Sequence, residues 1–94
     1  MIIIVARAEV LPGQTDAYIR LAKELETLSR REDGCIAYTL HRSTDNPSVF
    51  VVIEQWRDRQ AIDAHNASEH FRRIVPQLGA MRRSGTVEHL TVVE

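Results

Sequence analysis

From Ile2 to Val10 the chain reads IIIVARAEV, apolar and mostly β-branched until Arg7 and Glu9, and Leu11-Pro12-Gly13-Gln14 then interrupts the run. That pattern predicts a strand closed by a turn. Between Gln14 and Glu32 the period changes. Tyr18, Leu21, Ala22, Leu25 and Leu28 recur at intervals of three and four, and Arg20, Lys23, Glu24, Arg30 and Arg31 fill the opposite side, which predicts an amphipathic helix. Asp33-Gly34 ends it, with Gly34 placed where a left-handed C-terminal cap needs no Cβ. CIAYTLHRS, residues 35–43, reads as a second strand, TDNPS as a turn, and VFVVIEQWR, residues 49–57, as a third strand. Asp58 is placed to N-cap a short helix with Ala61, Ile62 and His65 on one face. Ser68 opens another helix with Phe71, Ile74, Val75 and Leu78 inward, which Pro76 is expected to bend or end. After Gly79 and Gly85, TVEHLTVVE, residues 86–94, reads as a fourth strand.

The order β-α-β-β-α-β is that of the split βαβ, ferredoxin-like α+β sandwich: a four-stranded antiparallel sheet with helices on one face. A strand with one wet face alternates, yet residues 2–5 and 49–53 are apolar at every position, so both sheet faces need cover. Helices supply one cover. The same face of a second chain is the simplest source of the other, which predicts a homodimer and hence a dimeric α/β barrel.

Composition narrows the function without choosing it. At 94 residues, with 44% apolar and 27% charged side chains, the chain has room for one domain, residues 1–94, and one modest core. Its net charge of −1 is spread evenly. Neither a phosphate-neutralising stripe nor a polybasic segment is present, so nucleic acid and membrane are not expected partners. The apolar start has no basic segment before it and is too short to span a bilayer, and Cys35 has no partner for an internal disulfide. A cytoplasmic location is therefore expected, with Cys35 as a small buried apolar residue.

Candidate chemistry concentrates in IEQWRDRQAIDAHNASEHF, residues 53–71, which holds the single tryptophan and two of the four histidines. Alternation along the third strand sets Phe50, Val52, Glu54 and Trp56 on one face, and His65 lies on the inward face of the helix that follows. A carboxylate, an imidazole and an indole would then line one half-apolar cavity, which suits a flat aromatic ligand. Each group also has an ordinary reading: Trp56 as core, Glu54 as half of an ion pair, His65 as a core histidine bonded to a backbone carbonyl. His70, just inside the second cap, reads as a pocket rim or a surface residue. His41 and His89 show no partner. On one continuous helix, His65 and His70, five residues apart, would be separated by roughly 140°, which is poor chelation, and no Cys pair or HxxxH accompanies them, so no metal is expected. Hydrolase, P-loop and dinucleotide fingerprints are absent as well.

The same stretch, together with MIIIVARAEV, the Pro-Gly turn and DGCIAYTLHRSTDNPSVFVV, resembles the antibiotic biosynthesis monooxygenase family over essentially the whole chain, most specifically at EQW…AHxxSxHF. The nearest branch in appearance is the small bacterial quinol monooxygenases. The resemblance implies ferredoxin-like protomers dimerising through their sheets, a pocket between sheet and helices, and oxygenation by dioxygen with no metal, flavin or other cofactor. With that chemistry His65 is expected as general base, Glu54 as orienting carboxylate and Trp56 stacking on the substrate; His70 is a lesser substrate-binding candidate by family position, and Tyr38 another by its expected proximity to the pocket. Departures separate the chain from other branches. Anthrone-oxidising relatives carry Asn and Tyr where Val52 and Ile62 stand, and haem-degrading relatives carry their working Asn and Trp/His set where Ala6 or Arg7, His65 and Val75 align. A third branch, isomerases of a phosphorylated signalling metabolite, shares the two helix histidines but has Tyr at the place of Trp56. Isomerase is therefore the alternative activity, and a non-catalytic dimer binding a small apolar metabolite is the alternative of another class.

Overall fold

The computed structural model describes residues 1–94 and contains seven elements: β1 (Ile2–Val10), α1 (Thr15–Ser29), β2 (Cys35–Arg42), β3 (Val49–Trp56), α2 (Arg59–Asn66), α3 (Glu69–Ala80) and β4 (Arg82–Leu90). The sheet order is β2-β3-β1-β4, with every neighbouring pair antiparallel. This is the ferredoxin-like topology, as the element order predicts. No helix is long and apolar enough to cross a membrane.

Register fixes the two faces of the sheet. Ile4 lies opposite Glu54, Ala6 opposite Val52 and Ala8 opposite Phe50, while Tyr38 pairs with Glu54 from the other side. These positions face the helices. Ile4, Leu25, Tyr38, Trp56, Ala61, Ile62 and Ile74 pack as one buried cluster, and Ala8, Val10, Tyr18, Ala22 and Phe50 as a second. Trp56 is fully enclosed in the first, so truncating it to alanine costs about 3–5 kcal/mol. The opposite face carries Ile3, Val5, Val51 and Ile53, and no element of the chain covers it; Ile53 is 38% exposed.

The caps at Asp58 and Ser68 form as expected: the Asp58 side chain accepts from the Ala61 N–H and the Ser68 hydroxyl from the Phe71 N–H. Two caps ten residues apart break what would be one long helix into α2 and α3.

Four details differ from the sequence reading. The helix α1 stops at Ser29 rather than Glu32, and Arg30–Gly34 form a turn. Gly34 is not left-handed; positive φ is confined to Gly13. Gly34 is needed for close approach, because a Cβ there would sit 2.2 Å from the Ala61 Cβ. Pro76 does not end α3, which continues to Ala80. The fourth strand begins at Arg82 and ends at Leu90, four residues earlier at each end than the apolar run suggests, because it follows the register of β1.

Candidate functional site

A cavity of about 290 Å³ lies between the helix-facing side of the sheet and α1, α2 and α3. Its floor is Ile4, Ala6, Val52 and Glu54; Leu25, Phe71, Val75 and Leu78 form an apolar roof, and Val87 and His89 of β4 form a side wall. Arg7, Asn66 and Arg82 are polar groups of its lining, as are Glu54, His65 and Tyr38. Of the five residues singled out in the sequence, Glu54, His65 and Tyr38 line the cavity. Trp56 and His70 do not.

Trp56 stands one layer behind. Its indole Nε1–H donates to Glu54 Oε1 at 2.8 Å, and its ring lies 4.5 Å, centroid to centroid, from the His65 imidazole at an interplanar angle of 37°. Phe71 meets His65 edge-on from the cavity side, with centroids 5.1 Å apart. The indole therefore holds the two candidate catalytic groups in place and presents no face to a ligand. The reason is its position: Trp56 ends β3 directly beneath Ile62 and Ala61, where the core closes.

His65 Nδ1 is held at 2.6 Å by Glu32 Oε2, and His70 Nε2 lies 2.9 Å from the same oxygen. No hydrogen bond joins His65 to Glu54. The carboxylate that orients the imidazole is Glu32, a residue the sequence reading passed over. With Glu32 ionised, both rings donate to it, so His65 carries its proton on Nδ1 and keeps the Nε2 lone pair. Nε2 has no protein partner, yet Ser29 Oγ is the only buried side-chain polar atom without one. The Nε2 atom is therefore accessible, and His65 meets the cavity with an acceptor nitrogen.

Electrostatics sort these groups further. Burial pushes the Glu54 carboxyl up, the Trp56 hydrogen bond opposes that, and the Glu32 charge adds to it; the result is a pKa of about 7. His65 is lowered, by burial first, against the opposing bond and charge of Glu32 and with a smaller contribution from His70. It is thus a neutral imidazole at neutral pH, able to accept a proton. The Tyr38 phenol is raised by burial and by the Glu54 charge, and so stays protonated as a donor. Cys35, half-buried, has its thiol raised by burial and by Glu32 and Glu54, which keeps it an unreactive thiol.

Glu32 was hard to find in the sequence because it lies 33 residues from His65 and ends a helical pattern whose charged side is solvated.

A model of the antibiotic biosynthesis monooxygenase family matches residues 1–77. The Bacillus subtilis protein YcnE, provisionally named a monooxygenase, is 32% identical over 75 residues, covering 80% of this chain and 79% of that protein. Rv0793 of Mycobacterium tuberculosis, provisionally named in the same way, is 33% identical over 78 residues, covering 83% of this chain and 76% of that protein. The solved structure of Rv0793 superposes with a TM-score of 0.92 over 99% of this chain and 95% of its own at 31% identity. A crystal structure described as an antibiotic biosynthesis monooxygenase reaches 0.95 at 39% identity, with both chains covered completely.

Proposed function

The chain belongs to the antibiotic biosynthesis monooxygenase family, and we propose that it oxidises a small electron-rich phenol or quinol with dioxygen, using no cofactor. The observation that carries this reading is the lining of the cavity, which a neutral imidazole with its acceptor nitrogen accessible shares with a carboxyl that titrates near neutrality. Such a substrate contributes its own electrons once it is an anion. Oxidising a quinol to a hydroxyquinone takes up one O₂ and releases one H₂O, with one oxygen atom entering the ring, so the atoms and electrons balance without an external reductant.

The protein then has to make the anion and hold it. His65 Nε2 takes the substrate hydroxyl proton, and Glu32 stabilises the imidazolium that forms, as the carboxylate of a Ser-His-Asp triad does. Glu54, whose carboxyl titrates near neutrality, accepts from a second hydroxyl in its ionised form and returns a proton to the departing oxygen in its protonated form. Phe71 and Val75 supply the apolar wall against which a flat ring packs. A volume of about 290 Å³ matches a one- or two-ring molecule, at the lower end of small-molecule pockets. A dry cavity also protects a reactive oxygen intermediate from water.

The protein is proposed to work as a homodimer closed over the uncovered sheet face. Ile3, Val5, Val51 and Ile53 form an apolar strip along its two central strands, with Leu90 of β4 beside them at 42% exposure, and a face of that kind is stable in water only when paired. Light scattering is expected to give twice 10.7 kDa; a monodisperse monomer at micromolar concentration overturns the pairing.

Oxygen-electrode measurements on metal-stripped protein with a panel of quinols, anthrones and phenols test the activity. Uptake is expected with at least one, falling roughly 10²-fold or more in His65→Ala with little change in KM. Uptake with none of them overturns the oxygenase reading. Unchanged turnover in His65→Ala with a lowered Tm makes His65 a core residue.

A further inference from the structure

We propose that Glu32, His65 and His70 form a binding site for one divalent transition-metal ion of the zinc or cobalt class, and that filling this site switches off the cavity face of His65. The three side chains come from three elements, the turn after α1, the end of α2 and the start of α3, and their ligand atoms lie within 4.8 Å of one another. Spacing along the sequence argued against chelation because five residues on a continuous helix set the two rings about 140° apart and no HxxxH or Cys pair accompanies them, although the cap at Ser68 allows a break between them. The break at Ala67-Ser68 separates the two helices and turns both rings toward one carboxylate.

The donor set is of the right chemistry. Two imidazoles and one carboxylate suit zinc, cobalt, nickel or ferrous iron, and three protein ligands leave a position for water. With metal–ligand bonds of about 2.1 Å, tetrahedral ligand atoms stand about 3.4 Å apart. The two existing contacts, 2.6 and 2.9 Å, therefore open by less than 1 Å each. Glu32 sits in a turn and its side chain moves without disturbing a helix. The site is enclosed yet reachable: the side chain of His65 is 3% exposed and those of Glu32 and His70 are 16% exposed, so an ion enters past the last two.

The switching follows from the tautomer. The Nδ1 atom of His65 holds either a proton or a metal ion. With the proton there, Nε2 is an acceptor toward the cavity. With a metal on Nδ1, the neutral ring keeps its one proton on Nε2 and becomes a donor, so it no longer takes a proton from a substrate. The binding half of the proposal stands on the three side chains alone; the switching half rests on His65 acting as base in the oxygenase reading.

Calorimetric titration of metal-stripped protein with ZnCl₂, and absorption spectroscopy with CoCl₂, test the site at pH 7.5. One ion per chain is expected, with a Kd on the order of micromolar or tighter and the visible bands of low-coordinate cobalt. Glu32→Gln and His70→Ala are each expected to weaken binding at least tenfold, and His89→Ala and His41→Ala to leave it unchanged. Circular dichroism of each variant separates lost binding from lost fold, and Glu32→Gln keeps the side-chain size. No binding up to millimolar zinc overturns the site, as does binding that survives both Glu32→Gln and His70→Ala. With any substrate that supports oxygen uptake, the rate is expected to fall in proportion to zinc occupancy and to recover with EDTA; full activity at full occupancy overturns the switch and leaves the site. If no substrate supports uptake, the oxygenase reading fails while the calorimetry still decides the site.

Discussion

Two buried glutamates, one in the seam between α1 and β2 and one in the floor of the cavity, divide the molecule into a part that holds and a part that works. Glu26 is 2% exposed and Glu54 6%. Lys23 Nζ lies 2.5 Å from one Glu26 oxygen with the Arg30 guanidinium at 3.6 Å, and the Leu40 N–H donates to the other at 2.7 Å. Burial raises its carboxyl, but these partners together outweigh that and hold it below the ordinary value of 4.5. The β2 edge gains from the arrangement, since Glu26 and Arg30 occupy backbone groups of Leu40 and Tyr38 that would otherwise offer a free strand edge. Glu54 has no cation. Its side-chain hydrogen-bond partner is the Trp56 indole, a neutral donor, and its carboxyl rises to about 7. Two carboxylates of similarly low exposure thus have opposite chemistry, because Glu54 lies deeper in the protein with only a neutral partner, whereas Glu26 sits in a shallower seam with two cations and a backbone N–H within reach.

Exchanging each carboxylate for its amide gives the largest expected contrast. Glu54→Gln is expected to lower turnover by about 10²-fold, because an amide neither titrates nor returns a proton, while its Tm at pH 8 stays level or rises. Glu26→Gln is expected to leave turnover within a factor of two or so and to cost about 1–3 kcal/mol of stability, through weakened charge-assisted bonds. Paired rate and melting measurements on the two variants check this. Both variants moving the same observable would break the division between the two regions.

A pH titration of stability sharpens the same contrast. Glu54 binds its proton more tightly folded, at about 7, than unfolded, near 4.5. Between those values the native state holds the extra proton, so stability falls as pH rises, by up to about 3 kcal/mol in all. Glu26 has the opposite sign: its contribution is full above 4.5 and is lost as pH falls below it. Denaturant melts of wild type and Glu54→Gln are therefore expected to converge near pH 4.5 and diverge toward pH 7, with the variant the more stable. Parallel curves would mean that Glu54 finds solvent or a cation, and the site would lose its acid-base group.

The contrast between these glutamates also shows what a sequence makes legible. Alternation in VFVVIEQW put Glu54 on the helix-facing side, and the 3.6-residue period of α1, with side-chain caps at Asp58 and Ser68, fixed the element order and so the topology. Those features are local. Glu26 and Glu32 escaped notice because each is defined by a partner far along the chain: Leu40 is 14 residues from Glu26, and His65 and His70 are 33 and 38 from Glu32. Trp56 escaped in a different way. Its face was legible, but the depth at which it sits depends on α2 packing down on Gly34, and period-two alternation carries no depth.

That depth yields the smallest and most specific expectation. Trp56→Phe removes the Nε1–H that bonds Glu54 and keeps an aromatic ring against His65. Because this bond lowers the Glu54 pKa against burial, its loss moves the carboxyl further up, and a pH–rate profile governed by Glu54 is expected to shift to higher pH by roughly 0.5–1 unit. KM is expected to change little, since the indole does not line the cavity. Loss of part of a fully buried ring lowers stability by about 1–3 kcal/mol, less than full truncation. A raised KM with an unmoved profile would instead show that the indole reaches the substrate, as stacking would require, and that the wall between the holding and working regions opens when a ligand binds.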